Sequence, residues 1–235
     1  MFGQILTNHL RLIFNLYRLP NPLLLLTGAL WPKEKWTMVA KTAVLSHHEA
    51  YWRLRAENNS KLKYLNVKTI GLSGRPHPVL AGVHTTQEVK YSRVHIKMLS
   101  GDYLCFSHLG KDRKQSPHCR LCKTLSPLVT TPDETMMHLL TRCRATSDVR
   151  TRILPDLLNV LAQHLPENQI LQQPTHEHLT QFILDPTSLN LPVTVRISPK
   201  HTAFPQIIAI CRRLCFFIHK SRSKQLQNLD MNILQ

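Results

Sequence analysis

The sequence predicts a mainly α fold: helical segments around a small structural metal-binding module of type Cys3His, with irregular loops between. Three observations carry this. Apolar residues recur every three to four positions in several stretches, the period of one helix face. The 235 residues include only 7 Gly but 15 Pro, which favours short segments with firm stops over a glycine-punctuated β-sandwich. In mid-chain, Cys119-x2-Cys122 is followed by His138-x4-Cys143, a spacing that suits one metal ion.

The elements follow in order. Lys41 to Glu57 carries Ala43, Val44, Leu45, Ala50, Trp52 and Leu54 among polar residues, an amphipathic helix. Residues 58–84 hold Gly71, Gly74, Pro76, Pro78 and Gly82 and read as a linker, with one extended piece from Tyr64 to Leu72. Thr85-x-x-Glu88 is a capping-box pattern that starts a helix over about 86–100, closed by Gly101. Thr131-Pro-Asp-Glu134 repeats that pattern ahead of His138. Ile153, Leu157, Leu158, Val160, Leu161 and Leu165 mark a further helix with Pro155 in its first turn. Thr175–Leu184 and Phe204–Gln225 are the last two helices; Asp185–Thr202, with three prolines, is a loop in which Val193–Ile197 reads as extended. The implied organisation is an N-terminal helical segment and linker (1–84), a basic metal-binding module (85–150) and a C-terminal helical segment (151–235).

Charge narrows the function classes. Thirty Lys and Arg against 14 Asp and Glu leave a formal net charge of +16. Tyr51 to Leu125 holds 14 basic and 4 acidic residues, and Arg196 to Lys224 holds 7 basic residues and no acid. Two such blocks point to a polyanion, and so to an RNA or DNA backbone. Membrane spanning is excluded as an expectation: the longest apolar run, Phe204–Ile218, is broken by Arg212 and Arg213. The first twenty residues lack the charge order of a signal peptide. An intracellular, reducing setting is expected, with nucleus and cytoplasm both open, and there cysteines are thiols or metal ligands rather than disulfides.

The two residues inside Cys119-x2-Cys122 form a tight knuckle that turns both thiolates onto one ion. A second pair must come from a rigid element opposite. His138 sits in a helix, and Cys143, five residues on, falls off its face unless the helix ends near Thr141. Cys119, Cys122, His138 and Cys143 then close a tetrahedron of the kind structural Zn2+ takes, with no open position for substrate. His118, His108 and Cys105 are competing ligands; Cys211 and Cys215, four apart on an apolar face, read as buried thiols.

These residues resemble a known pattern. Cys-Arg-Leu-Cys at 119–122, Asp-Glu-Thr-Met-Met-His-Leu-Leu-Thr-Arg-Cys at 133–143 and then Arg150 look like the C-x-x-C … E-T-x-x-H-h-L-x-x-C … R block that follows the reverse transcriptase domain in non-LTR (LINE-type) retrotransposon polyproteins. Ile96-Lys-Met-Leu-Ser-Gly-Asp-Tyr103 is similar to the h-x-x-L-T-G-x-Y segment that precedes it. Ser60–Asn66, Phe182-Ile-Leu-Asp185 and Leu214–Arg222 echo the same C-terminal region, so the resemblance covers roughly residues 40–222.

The resemblance implies a non-catalytic remnant of such a polyprotein, because the endonuclease and polymerase domains lie outside it. The seven aspartates are never adjacent and never stand in a Tyr-x-Asp-Asp frame, so the two-metal carboxylates of a polymerase are missing. It also implies a zinc segment that helps hold RNA or DNA. Lys111, Arg113, Lys114, Arg120 and Lys123 surround the knuckle and are the expected phosphate contacts. Tyr103 and Phe106 are the nearest rings that could stack on bases. Leu19-Pro-Asn-Pro-Leu-Leu-Leu-Leu could pack on an upstream polymerase domain missing from this chain. A scaffold module with its interface on the C-terminal helices, and a decayed reading frame without selected function, are the alternatives.

Overall fold

The computed structural model describes residues 10–20, 31–66, 77–80, 82–105, 116–125, 130–164, 175–187 and 200–233. Among them the chain is helical, with one isolated β-bridge (His118 with Asp133) and no strand. The mainly α expectation holds. The helices are α1 (Lys33–Glu57), α2 (Thr86–Leu99), α3 (Arg120–Leu125), α4 (Ser147–His164), α5 (His176–Leu184) and α6 (Phe204–Ile233). The described residues fall into two compact units, one ending at Asn58 and the other beginning at Asn59.

In the first unit, α1 starts eight residues before the expected Lys41. The Pro32 carbonyl accepts the first helical bond, from the Trp36 N–H at 3.1 Å, and Glu34 sits in the first turn where the helix dipole favours it. The extension has its own signal in the sequence, since Trp36, Val39, Ala40 and Ala43 stand at helical spacing. Phe14, from a helical stretch at 10–16, meets Trp36 with ring centroids 6.0 Å apart, and Tyr17 packs edge-on against His47 at 5.1 Å. Leu12, Met38, Trp52 and Leu54 stay more than half exposed. Residues 21–26 of the apolar run that starts at Leu19 lie outside the described residues.

The second unit is organised on α6. Phe204, Ile207, Ile208, Cys211, Leu214, Cys215 and Ile218 make a buried stripe at helical spacing. Helices α2 (Met98, Leu99), α4 (Val149, Ile153, Leu157, Val160) and α5 (Phe182, Ile183, Leu184) bury against it in one continuous cluster. Cys211 and Cys215 are buried thiols, as read from the sequence. Arg212 interrupts the stripe but is buried, and its guanidinium donates to the Val79 carbonyl. No helix among the described residues is long and apolar enough to cross a membrane.

Helix α4 begins at Ser147, so Pro155 lies well inside it rather than in its first turn. Pro155 and Thr151, whose carbonyl loses its helical partner there, both lie on the exposed side, where solvent can reach that carbonyl. The capping box of α2 forms in full: the Thr85 Oγ1 accepts from the Glu88 N–H, and Glu88 accepts from the Thr85 N–H at 2.9 Å. Tyr64–Asn66 form a turn instead of the expected extended piece, while 67–76 and Val193–Ile197 lie outside the described residues. That turn docks on the end of α5. The Asn66 N–H donates to Asp185 at 2.8 Å, and the Asn66 side chain donates to the Thr187 carbonyl at 2.7 Å.

Gly101 closes α2 as expected, and the structure supplies the reason. Its φ is +71°, and a Cβ built there would lie 2.6 Å from the Lys61 carbonyl oxygen. Gly101→Ala should therefore cost about 2 kcal/mol or more, seen as a fall of several degrees in Tm. Gly82→Ala, at the same φ but with open space around it, should cost less, since only the backbone strain applies.

His95 is fully buried, and its Nε2–H faces the carbonyls of Ile183 and Leu184 at 3.1 and 2.9 Å. Burial pushes its pKa down from 6.5 to about 4. Between those values the unfolded chain binds the proton and the folded chain does not, so stability is lost as pH falls. Urea unfolding should report a loss approaching about 3 kcal/mol between pH 6.5 and 4 that His95→Gln does not show.

Candidate metal centre

Two short backbone pairings bring the halves of the site together. The Cys119 N–H donates to the Pro132 carbonyl and the Glu134 N–H to the Pro117 carbonyl, each at 2.9 Å. The Cys119 carbonyl then accepts from the Lys123 N–H at 3.0 Å and starts α3, with Cys122 in its first turn. Opposite, the Thr135 hydroxyl accepts from the His138 N–H at 3.1 Å. The cap is thus Thr135, not Thr131 as the capping-box pattern predicted. Residues 130–135 are not helical, and the Glu134 carboxylate is withdrawn into the interior.

His138–Arg142 form a π-turn, in which the Cys143 N–H reaches back five residues to the His138 carbonyl at 2.7 Å. A wider turn brings residue i+5 back toward residue i, which answers the misfit of a five-residue spacing on an α-helix. The Cys143 Sγ lies 3.9 Å from the Cys119 Sγ and 3.7 Å from the Cys122 Sγ, and the Cys122 Sγ lies 3.4 Å from the His138 Nε2. The ligand atoms of all four residues fall within 4.8 Å of one another. A tetrahedron with metal–sulfur bonds near 2.3 Å has S–S edges of about 3.8 Å. The four side chains form a group positioned to bind a metal ion.

The competing ligands are elsewhere. His118 is exposed and its Nδ1 pairs with Asp133 at 2.9 Å. Cys105 is buried in the helical core, where burial pushes its thiol up to about 12. His108 lies outside the described residues.

Charge within the cluster favours a cation. The Cys143 thiol is pushed down to about 3 by the hydrogen bond from Cys119, helped by His138 and Cys122. The Cys119 thiol is pushed up by its contact with Cys143, and burial raises Cys122. The shifts oppose one another within the cluster, and a divalent ion would let all three thiols ionise in a buried place.

Arg150 fixes the turn that carries Cys143. It donates to the Cys143 carbonyl at 2.6 Å, the Thr146 hydroxyl at 2.8 Å and the Leu139 carbonyl at 3.4 Å. Arg222 pairs with the buried Glu134 carboxylate at 2.6 Å, donates to the Leu104 carbonyl and lies 5.6 Å over the Tyr103 ring. Sequence reading missed both roles. The signal for Arg222 was its place four residues after Ile218, on the buried stripe of α6.

The expected phosphate contacts are placed unequally. Arg120 is held by Asp230 at 2.7 Å, Lys123 is exposed on α3, and Lys111, Arg113 and Lys114 lie outside the described residues. Tyr103 is not a stacking platform. It is buried, its hydroxyl meets His219 Nδ1 at 3.1 Å, and its pKa is pushed up to about 12 by burial. Its ring is part of the core cluster, with the Arg222 guanidinium over its face. Phe106 lies outside the described residues.

No protein family, curated protein or solved structure matches this chain.

Arg150→Ala removes a charged donor from three acceptors and should lower stability by about 2 kcal/mol. It should also weaken metal retention in a chelator competition by roughly tenfold or more, with Arg150→Lys recovering part of both.

Proposed function

We propose that the chain is a non-catalytic, zinc-stabilised nucleic-acid-binding remnant of a retrotransposon reverse transcriptase polyprotein. The observation that carries this reading is the closed Cys3His set: Cys119, Cys122, His138 and Cys143 would hold Zn2+ with no coordination position left for water or substrate. Three soft thiolates and one imidazole are the donor set of a structural zinc.

Two further observations support it. Residues of the segments that resemble the retrotransposon pattern meet one another across the fold: Asn66 with Asp185, Gly101 against Lys61, Glu134 with Arg222, and Arg150 with the Cys143 carbonyl. They belong together as parts of one folded unit. The second is the charge of +16, of which the block from Tyr51 to Leu125 flanks and includes the knuckle. A scaffold interface on the C-terminal helices is the weaker reading, since α5 and the first half of α6 bury their apolar residues in the core.

Elemental analysis of the purified chain should find one zinc per molecule, lost in Cys119→Ser. Contacts from Lys111, Arg113, Lys114, Arg120 and Lys123 would give a log–log salt slope of about −4.5 on duplex DNA and about −3.5 on single strands. Neutralising Lys111, Arg113 and Lys114 together should reduce it by roughly 2 to 3. Absence of zinc, or a flat binding curve at ~50 mM salt, would overturn the proposal.

A further inference from the structure

The second unit carries a groove that the metal centre does not use. It is a cavity of about 520 Å³, floored by Ala209 and Ile210 of α6 and walled by Tyr91 of α2 and Asn159 and Gln163 of α4. The charged groups along it are each engaged within the protein. Arg213 pairs with Asp156, Arg212 donates to the Val79 carbonyl, and Glu88 accepts from the backbone of His84 and Thr85. Beyond the buried Arg213 Nε–H, which has no hydrogen-bond partner among the described residues, what remains on offer is neutral. Asn159, Gln163 and Gln206 are exposed and make no hydrogen bond among the described residues. Each amide presents a donor and an acceptor side by side.

At Tyr91 the groove meets a run of rings. The Tyr91 centroid is 4.7 Å from that of Phe216 and 6.1 Å from that of Phe217, and the Arg152 guanidinium lies 5.4 Å over Phe217. All three rings are only half-buried. A ligand that suits this surface is flat, uncharged over the slot, able to stack, and edged with both donors and acceptors. An unpaired nucleobase has that chemistry. A base in a duplex does not present it, because its faces are stacked and its pairing edge is occupied.

We propose that the groove between α2, α4 and α6 binds unpaired bases of single-stranded nucleic acid, with Tyr91, held in place by Phe216 packed against it, as the stacking face and Asn159, Gln163 and Gln206 meeting base edges. This rests on the nucleic-acid reading above but assigns the bases to a different surface from the phosphates. It also replaces Tyr103, which is enclosed in the core, as the aromatic element of the interface.

The test uses the full zinc-loaded chain and fluorescence anisotropy. One probe is a single-stranded oligonucleotide of about twelve residues, within the size such grooves accommodate; the other is an abasic strand of equal length and charge. The base-bearing strand should bind at least about fivefold tighter, the effect of one lost stacking contact. Asn159→Ala/Gln163→Ala, at exposed positions outside any hydrogen bond, should shrink that ratio and leave the salt slope unchanged. Phe216→Ala should do the same, with its melting temperature as the check on folding. Equal affinity for the two strands overturns the groove and leaves phosphate binding at the knuckle standing. Failure to bind either strand at ~50 mM salt overturns both.

Discussion

The carboxylate of Glu134 is wholly buried, and its charge is answered by Arg222 from α6. A buried carboxylate left alone costs several kcal/mol, so this pair fixes where α6 must lie against the turn that precedes His138. Losing either partner would cost about 3–5 kcal/mol. The pair also sits at a junction. Before Arg222 the buried stripe of α6 faces the helical core; after it, Leu226 and Leu229 pack on the small cluster of Cys119, Leu121, Cys122, Cys143 and Ala145. The Gln225 side chain donates to the Ala145 carbonyl at 2.7 Å between them. One helix therefore belongs to two hydrophobic clusters, with an ion pair at the changeover.

That arrangement couples the metal centre to the core. The module around Cys119–Cys143 buries Met136, Leu139 and Leu140 in the helical core, while Cys119, Leu121, Cys122 and Cys143 cluster with Leu226 and Leu229 of α6. Arg150 adds a further restraint, donating to the carbonyls of Leu139 and Cys143, which also accept from Thr146. Metal affinity in such a site is inseparable from folding free energy, and the groups that hold the backbone around the ligands act on both. Polar contacts of the same kind recur at the other end of the unit, where Asp185 receives the Asn66 and Thr187 N–H groups and the Gln181 amide donates to the Tyr64 carbonyl. The loops of the second unit are thus held by buried, directional bonds more than by apolar area.

The proposed division of labour follows from the same economy of surface. The basic residues at the knuckle suit a phosphate backbone, while the groove over α6 has its charges cancelled internally and offers amides and aromatic faces. Separating charge from base contact lets one strand be held along its backbone while its bases are read, or merely stacked, on another face.

By itself the sequence determined most of the helices and the four side chains positioned to bind a metal ion. Apolar spacing located α2, α4, α5 and α6, because the period of a helix is local and survives any arrangement of neighbours. Thr85 and Glu88 marked the start of α2, Gly101 its end, and the Cys and His spacing named the four clustered ligands, because these too are relations within a few residues or between rare chemical types. The tertiary structure decided what depends on distant partners. Glu134 had the position of a capping residue and became half of a buried ion pair, since Arg222, eighty-eight residues away, offered a stronger partner than a backbone N–H. Tyr103 was one of the nearest rings that could stack on bases, and it is enclosed in the core under Arg222. Cys143 sat at a spacing that no α-helix accommodates, and the π-turn, fixed by Arg150 and by the other ligands, brought it round. Local chemistry sets which elements form; the burial of charge, which only the assembled fold can compensate, sets what they do.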